Sequence, residues 1–330
     1  MNIYKISKTT DFWLNERGKM RWIEAPVTRD RVIQKSLMKN VLIPRLRPYI
    51  IYDNYASLKN RGTAFARMRF EIMLHRYISK HGTDGYVLLG DFRKYLQSVD
   101  HTTLKGLIAP RLKNEPKEVI DLIYYTIDNS SNTAKGLNLG GEPPQIFAVY
   151  FLTPIDNYVK IVKGVKYYGH YMDDFWAIGR SKSELSRLLS DIEAKAKDLN
   201  IGINKKKTHI IKLRHGFTYL QIKYNILPTG KILTRPTHNK ITRERHRLKA
   251  FKRLYDKGVL KGYDVLNCYR SWRGTMIREH NHCHKTILNM DALFKKLFPD
   301  CGTYIRKKRS EVAKEIWKGA ETRDIYCLIF

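Results

Sequence analysis

Two carboxylates stand side by side in Tyr171-Met172-Asp173-Asp174, and a pair held this way in a cleft repels itself unless a cation is shared between them. A hard divalent ion is the natural partner. Mg²⁺ takes one or two carboxylates and completes its shell with water and phosphate oxygens, so the pair is part of a phosphoryl-transfer site that wants a third acid. Asp91 supplies it. It ends the apolar run Tyr86-Val87-Leu88-Leu89-Gly90, and an acid at the end of a buried strand is costly unless it does chemistry.

The elements that must position these acids follow from the flanking patterns. Tyrosines and a histidine lead into the Asp pair and Phe175-Trp176-Ala177-Ile178 leads out, which puts the acids at the tip of a hairpin. The segment after Asp91 reads as a turn and a short helix, and residues 102 to 130 read as helical scaffold. Lys135 to Gly141 is a glycine-rich turn that enters a helix at Glu142-Pro143-Pro144, prolines being suited to a first helical turn. Ser181-Lys182-Ser183-Glu184 is a capping box. It opens an amphipathic helix that runs to Leu199 and is stopped by Asn200-Ile201-Gly202. Strands are expected at His209–Leu213 and over Phe217–Ile222. Near the start, within residues 12 to 34, the stretch Glu16 to Pro26 reads as a basic hairpin turning at Gly18 and Arg29 to Gln34 as the start of a helix that Pro44 and Pro48 interrupt. Thr63 is placed to cap a helix beginning at Ala64.

Asp91 with Ser98-Val99-Asp100-His101, then the glycine-rich element, then Tyr171-Met172-Asp173-Asp174, resembles the catalytic core of bacterial retroelement reverse transcriptases, over about residues 15 to 275. That family includes the enzymes of group II introns, retrons and diversity-generating retroelements. The resemblance implies an α+β, right-hand polymerase with fingers (1–85), a palm whose antiparallel sheet packs on helices (86–230, with 102–135 inserted as helices), and a basic helical thumb and tail (231–330). It also implies RNA-directed DNA synthesis: a primer 3′-hydroxyl attacks the α-phosphate of a dNTP on an RNA template. Asp91 and Asp173 would bind two Mg²⁺ ions, or Mn²⁺ in their place, with Asp174 in support. Lys207, in Asn204-Lys205-Lys206-Lys207-Thr208, matches the lysine proposed to protonate pyrophosphate; a solvated lysine cluster is the competing reading. The fingertip hairpin would hold the triphosphate through Arg21, with Lys19 beside it, a guanidinium being a planar fork for phosphate oxygens. Gly140 would let backbone approach the nucleotide, and Gln145 matches the glutamine of the diversity-generating and unclassified, defence-type branches, although their serine is missing. The Ser57–Thr63 loop resembles a template contact and Phe217–Ile222 a primer grip, with Gln221 where glycine is usual. The sugar-gate pair falls on Tyr95 and Leu96, with leucine at the position expected to exclude a 2′-hydroxyl.

Composition sets the outer bounds. Lys and Arg number 62 against 31 Asp and Glu, a formal net charge of +31, which suits a polyanionic partner because neutralised phosphates release counterions. Aromatic residues at 12% argue against a disordered basic tail. Asn239–Leu254 is helix-prone, with a narrow apolar stripe and basic residues elsewhere, a face for phosphates; Arg306-Lys307-Lys308-Arg309 is a second basic patch. Four cysteines without framework spacing fit a reducing cytoplasm, and no membrane-length apolar run occurs. The terminal Cys327-Leu328-Ile329-Phe330 formally fits a prenylation box, and His280-Asn281-His282-Cys283-His284 lacks the second ligand pair a zinc site needs. The expected partners are an RNA template, a DNA or RNA primer and dNTPs, with a cognate non-coding RNA or small accessory protein as further candidates and no membrane. The alternative function is a maturase-like or defence-associated protein in which binding of structured RNA, or atypical DNA synthesis, is the main role.

Overall fold

The computed structural model describes residues 4–16 and 18–304. The basic patch at 306–309 and the Cys327–Phe330 box lie outside the described residues. The chain divides into two compact units, one made of residues 1–220 with 226–232 and the other of 221–225 with 233–330.

The first unit begins with a two-stranded antiparallel ribbon, β1 (Thr10–Glu16) and β2 (Lys19–Ala25), turning at Gly18 as expected. Helix α1 (Thr28–Leu37) runs on through a wide turn at Met38–Leu42 into α2 (Ile43–Leu46). Pro44 therefore does not break the helical path: it sits near the start of α2, directly after the wide turn. Helix α3 (Thr63–His81) starts at Thr63 after Gly62, and no side chain caps it, so the expected threonine cap is not made.

The central sheet has the order β4-β5-β3-β6, from β3 (Tyr86–Asp91), β4 (Tyr168–Tyr171), β5 (Asp174–Gly179) and β6 (His209–Lys212), with every neighbour antiparallel. Val87 and Leu88 are fully buried on β3, and Phe175, Trp176 and Ala177 on β5. A Cβ at Gly90 would overlap the Phe175 ring, so glycine there is what lets the two strands close beside the acids. Between β3 and β4 lie the short α4 (Tyr95–Ser98), then α5 (His101–Ile108), whose first turn is capped by Asp100 accepting from the Thr103 N–H. They are followed by α6 (Lys117–Asp128), α7 (Glu142–Phe151) and α8 (Thr153–Asn157). Eight of the ten residues of α7 are buried, which makes it the central helix of the core that also holds Leu88, Phe92 and Phe175. Helix α9 (Lys182–Asp198) opens as the capping box predicts: the Glu184 N–H donates to Ser181 Oγ. The returning Glu184 carboxylate bonds the N–H of Arg180 rather than that of Ser181.

Strand β7 (Phe217–Tyr219) is shorter than the expected strand. Leu220 and Gln221 are both left-handed (φ 43° and 65°) and make a tight turn. Strands β8 (Ile222–Ile226) and β9 (Ile232–Pro236), which belong to the second unit except for Ile226 and Ile232, are sheet neighbours. They precede α10 (His238–Asp256), α11 (Gly262–Glu279) and α12 (His284–Leu297). Leu248, Val265, Tyr269, Met290, Phe294 and Phe298 form the core of that unit, with the Tyr269 and Phe294 rings stacked at 4.3 Å. No helix among the described residues is long and apolar enough to cross a membrane.

Candidate active site

The strand register brings the three acids together. Asp91, last on β3, is the cross-strand partner of Asp174, first on β5, and Asp173 lies in the turn between β4 and β5. That turn is made by Met172 in a left-handed conformation (φ 55°) and is tied down where the Phe92 N–H donates to the Asp173 carbonyl at 2.9 Å. Like charges directly opposite on neighbouring strands destabilise the pairing. The strain appears in the Asp174 carboxyl, which burial, together with the charges of Asp173 and Asp91, pushes up to about 7.

Asp91 is 4% exposed and held from three directions. Lys207 Nζ donates to Oδ2 at 2.7 Å, Asn204 Nδ2 to Oδ1 at 2.8 Å, and the Asn204 N–H to the Asp91 carbonyl at 2.7 Å. The hydrogen bond to Asp91 keeps the Lys207 ammonium above the usual lysine range. Asn204 is a site residue without a role in the sequence-based expectation, although it begins the same five-residue motif as Lys207.

Asp91 borders two cavities. One, of about 750 Å³, is lined by Asp91 and Asp173, by Arg93, Lys94 and Lys207, by Leu96 and Leu137 to Leu139, and by the ribbon residues Trp13, Met20, Arg21 and Trp22. The other, of about 290 Å³, is lined by Asp91, Asp174, Lys207, Thr218 and Tyr219. Arg93 and Lys94 do not stand out in the sequence. They follow the first acid directly, and both are exposed.

The remaining expected residues divide. Arg21 lines the larger cavity, but its Nε is 2.5 Å from Glu16 across the ribbon. Lys19 begins β2, and its side chain lies outside the described residues. Leu96 is half-buried and lines the cavity, whereas Tyr95 is 3% exposed and donates its hydroxyl to the Ala148 carbonyl of α7. Tyr95 is thus a core residue, because a phenol committed to a helix carbonyl is not free to meet a sugar. Gly140 makes its close approach to the ribbon: a Cβ there would strike the Glu24 carbonyl, and the Glu24 N–H donates to the Leu139 carbonyl at 2.8 Å. Gln145 lies away from the cavity lining and accepts from Ser57 Oγ at 3.2 Å, joining the helix to the Ser57–Thr63 loop.

Beneath the acids runs a buried polar network that the sequence did not announce. Asp156 on α8 accepts from Tyr168 Oη at 2.7 Å and Asn54 Nδ2 at 3.2 Å, and lies 3.0 Å from His170 Nδ1. His170 and Asp156 are each 1% exposed. Burial opposes charge on His170, but Asp156 outweighs it and the imidazole is held above its ordinary pKa. The backbone of His170 is fixed as well, donating to the Asp53 carbonyl and accepting from the Tyr55 N–H, both at 2.9 Å. Asp53 is itself held by Arg69 at 2.8 Å and Lys160 at 3.1 Å.

Among the described residues no group of three His, Cys, Asp or Glu forms a ready-made metal cage. The donor set still suits a hard divalent ion, since hard carboxylate oxygens on a shared cavity leave the rest of the shell to water and phosphate. At His280–His284 the turn is anchored to β9, the Asn281 N–H donating to Thr234 Oγ1 and the Thr234 N–H to Asn281 Oδ1, each at 2.8 Å.

Residues 6–224 match the family described as reverse transcriptase (RNA-dependent DNA polymerase). No curated protein sequence matches the chain significantly. Among solved structures it is similar to telomerase from Candida albicans in complex with a fragment of telomeric RNA (TM-score 0.56, 11% identity, 97% of this chain and 58% of that one). It is also similar to apo telomerase from Candida tropicalis truncated of its C-terminal domain (0.52, 14%, 69% and 55%). A third similarity is to the RNA-dependent RNA polymerase of a human picobirnavirus (0.55, 13%, 95% and 62%). At such identities these are likenesses of fold, that of a palm-type polymerase, and the chain spans little more than half the length of each.

Proposed function

The chain belongs to the reverse transcriptase (RNA-dependent DNA polymerase) family, and from that premise we propose that it extends a primer 3′-hydroxyl with dNTPs on an RNA template. The observation that carries this reading is the meeting of three acids at one strand end: Asp91 and Asp174 are register partners, Asp91 and Asp173 border the cavity that also holds Arg93, Lys94 and Lys207, and Asp91 and Asp174 border the smaller one. In this reading the central sheet is the palm, the ribbon with the helices before β3 forms the fingers, and α10 to α12 form the thumb.

Asp91, Asp173 and Asp174 would hold two divalent ions, Mg²⁺ or Mn²⁺. When bound, the ions would activate the primer hydroxyl and neutralise the triphosphate. Lys207 keeps a proton beside Asp91 and is the group that can give it to departing pyrophosphate. Arg93 and Lys94 attract the triphosphate, a role the sequence assigned to Arg21 and Lys19. Leu96, rather than Tyr95, walls the sugar. The smaller cavity beside Asp174 takes the primer end. Within the family, the motif order and Gln145 favour a bacterial retroelement enzyme of the diversity-generating or defence-type branch. A cognate non-coding RNA or a small accessory protein would be its further partner.

Primer extension with Mg²⁺ on an RNA template tests the reading. Asp91→Ala, Asp173→Ala and Asp174→Ala should each lower synthesis by at least about a thousandfold while nucleic-acid affinity, held by distant cations, stays within about threefold. Near-normal synthesis by Asp173→Ala would sink it.

A further inference from the structure

Trp13 and Trp22 are cross-strand partners on the ribbon, their rings edge-on at 5.1 Å. They are 61% and 42% exposed, and Met20, on the same face by strand alternation, is 52% exposed. All seven residues of β1 are exposed, so the pair is not the core of anything. Large aromatic surface left in water beside a cavity marks a place that something else covers.

The cavity identifies the occupant. Trp13, Met20 and Trp22 line the same space as Asp91, Asp173, Arg93, Lys94 and Lys207, and Leu96, Leu137 and Leu139 add apolar wall. One space therefore offers cations and acids for a polyphosphate with its metals, and flat aromatic surface for a heterocycle. A nucleoside triphosphate has both parts. Arg21 also borders this cavity, but strand alternation puts its side chain on the face of the ribbon opposite the indoles, where it pairs with Glu16.

We propose that Trp13 and Trp22 form a stacking platform for the base of the incoming nucleoside triphosphate. The inference rests on the nucleotidyl-transfer reading above. Stacking uses the π-face common to all bases, so the platform tightens binding of every nucleotide, more for the larger purines, without reading sequence.

Two measurements test it. In single-nucleotide extension on poly(rC) with dGTP and on poly(rA) with dTTP, Trp22→Ala and Trp13→Ala should raise KM about 5- to 100-fold, more for dGTP. kcat, template-primer affinity and Tm should be unchanged, and Trp22→Phe should recover most of the loss. Titration of the intrinsic tryptophan fluorescence with dGTP and Mg²⁺, which needs no turnover, should show quenching that the Trp13→Phe/Trp22→Phe double variant lacks. An unchanged KM, or an unquenched wild type that still extends primers, overturns the platform and leaves the polymerase reading intact. So does a loss of template-primer affinity at constant KM, which would put these rings on the template strand. Quenching without extension on any template would keep the platform and sink the polymerase reading.

Discussion

At the residue scale the site is a set of like charges kept close by everything around them. Asp91 and Asp174 oppose each other across two strands, and Asp173 depends on a left-handed Met172. His170 is what anchors that turn from below: its ring faces Asp156 and its backbone is bonded on both sides. Removing the ring in His170→Ala leaves the Asp156 carboxylate buried without its cation, which should cost about 3 to 5 kcal/mol in urea unfolding. His170→Asn, which can still donate to Asp156, should lose less. Since the folded pKa of His170 is raised, its contribution is complete below an unfolded value of about 6.5 and is lost as pH rises through the folded value. Wild-type stability should therefore fall over that range while that of His170→Asn stays flatter; equal pH profiles would mean the ring is neutral. Leu96 carries a second prediction. An apolar wall rejects an added hydroxyl only about a hundredfold, and leucine is less rigid than an aromatic ring. Leu96→Phe should thus discriminate more strongly against ribonucleotides than the wild type in competitive incorporation, and Tyr95→Ala should instead reduce stability, because Tyr95 is packed in the core. A gain in ribonucleotide use by Tyr95→Ala at unchanged stability would make Tyr95 the gate.

At the element scale, the sequence was most legible where a pattern is repeated locally. The run 86–90, the hairpin at Asp173-Asp174, the Ser181 half of the capping box and the basic helix expected from Asn239 all form as the residues suggest. What it hid were contacts over long separations. Gly140 and Gln145 sit in a motif whose composition points to substrate, yet one packs on β2 and the other on the Ser57 loop. The Asp156–His170–Tyr168–Asn54 network joins residues far apart in the chain, such as Asn54 and His170 in one bridge, and has no local signature. Helix α10 gives the same lesson. Of its cations, Arg243, Arg245 and Lys249 are exposed, but Arg247 is bonded to Glu244 at 2.8 Å. Glu244 is 3% exposed and burial raises its pKa in spite of that bond. Arg243, Arg245 and Lys249, together with the exposed Arg253 in the last turn, are therefore cations that phosphates can reach. Replacing Arg243, Arg245 and Lys249 with Ala should flatten the log-log salt dependence of template-primer binding by about 0.7 to 0.9 per phosphate that they neutralise in the wild type, at unchanged Tm. Arg247→Ala should lower Tm without changing the slope. A reversed outcome would exchange the two roles.

At the scale of the whole molecule, the proposed binding and the proposed chemistry draw on different charges. The net charge of +31 is the excess of 62 cationic over 31 acidic side chains, and attraction of nucleic acid by such a field comes from counterion release and needs no metal. The proposed chemistry depends on three carboxylates: burial first, and then the charges of Asp173 and Asp91, raise Asp174, and Lys207 offsets this only in part. A divalent ion in the proposed site would relieve the repulsion among them and complete its shell from water and phosphate. Chelation with excess EDTA should therefore stop primer extension while leaving template-primer affinity, measured by fluorescence anisotropy at constant ionic strength, within about threefold of its starting value. Restoring Mg²⁺ or Mn²⁺ should restore synthesis, and Ca²⁺, larger and looser in its coordination, should restore it poorly. If chelation abolished binding as well, the ion would be holding the nucleic acid or the fold itself, and the separation of a cationic binding surface from an acidic catalytic one would be wrong.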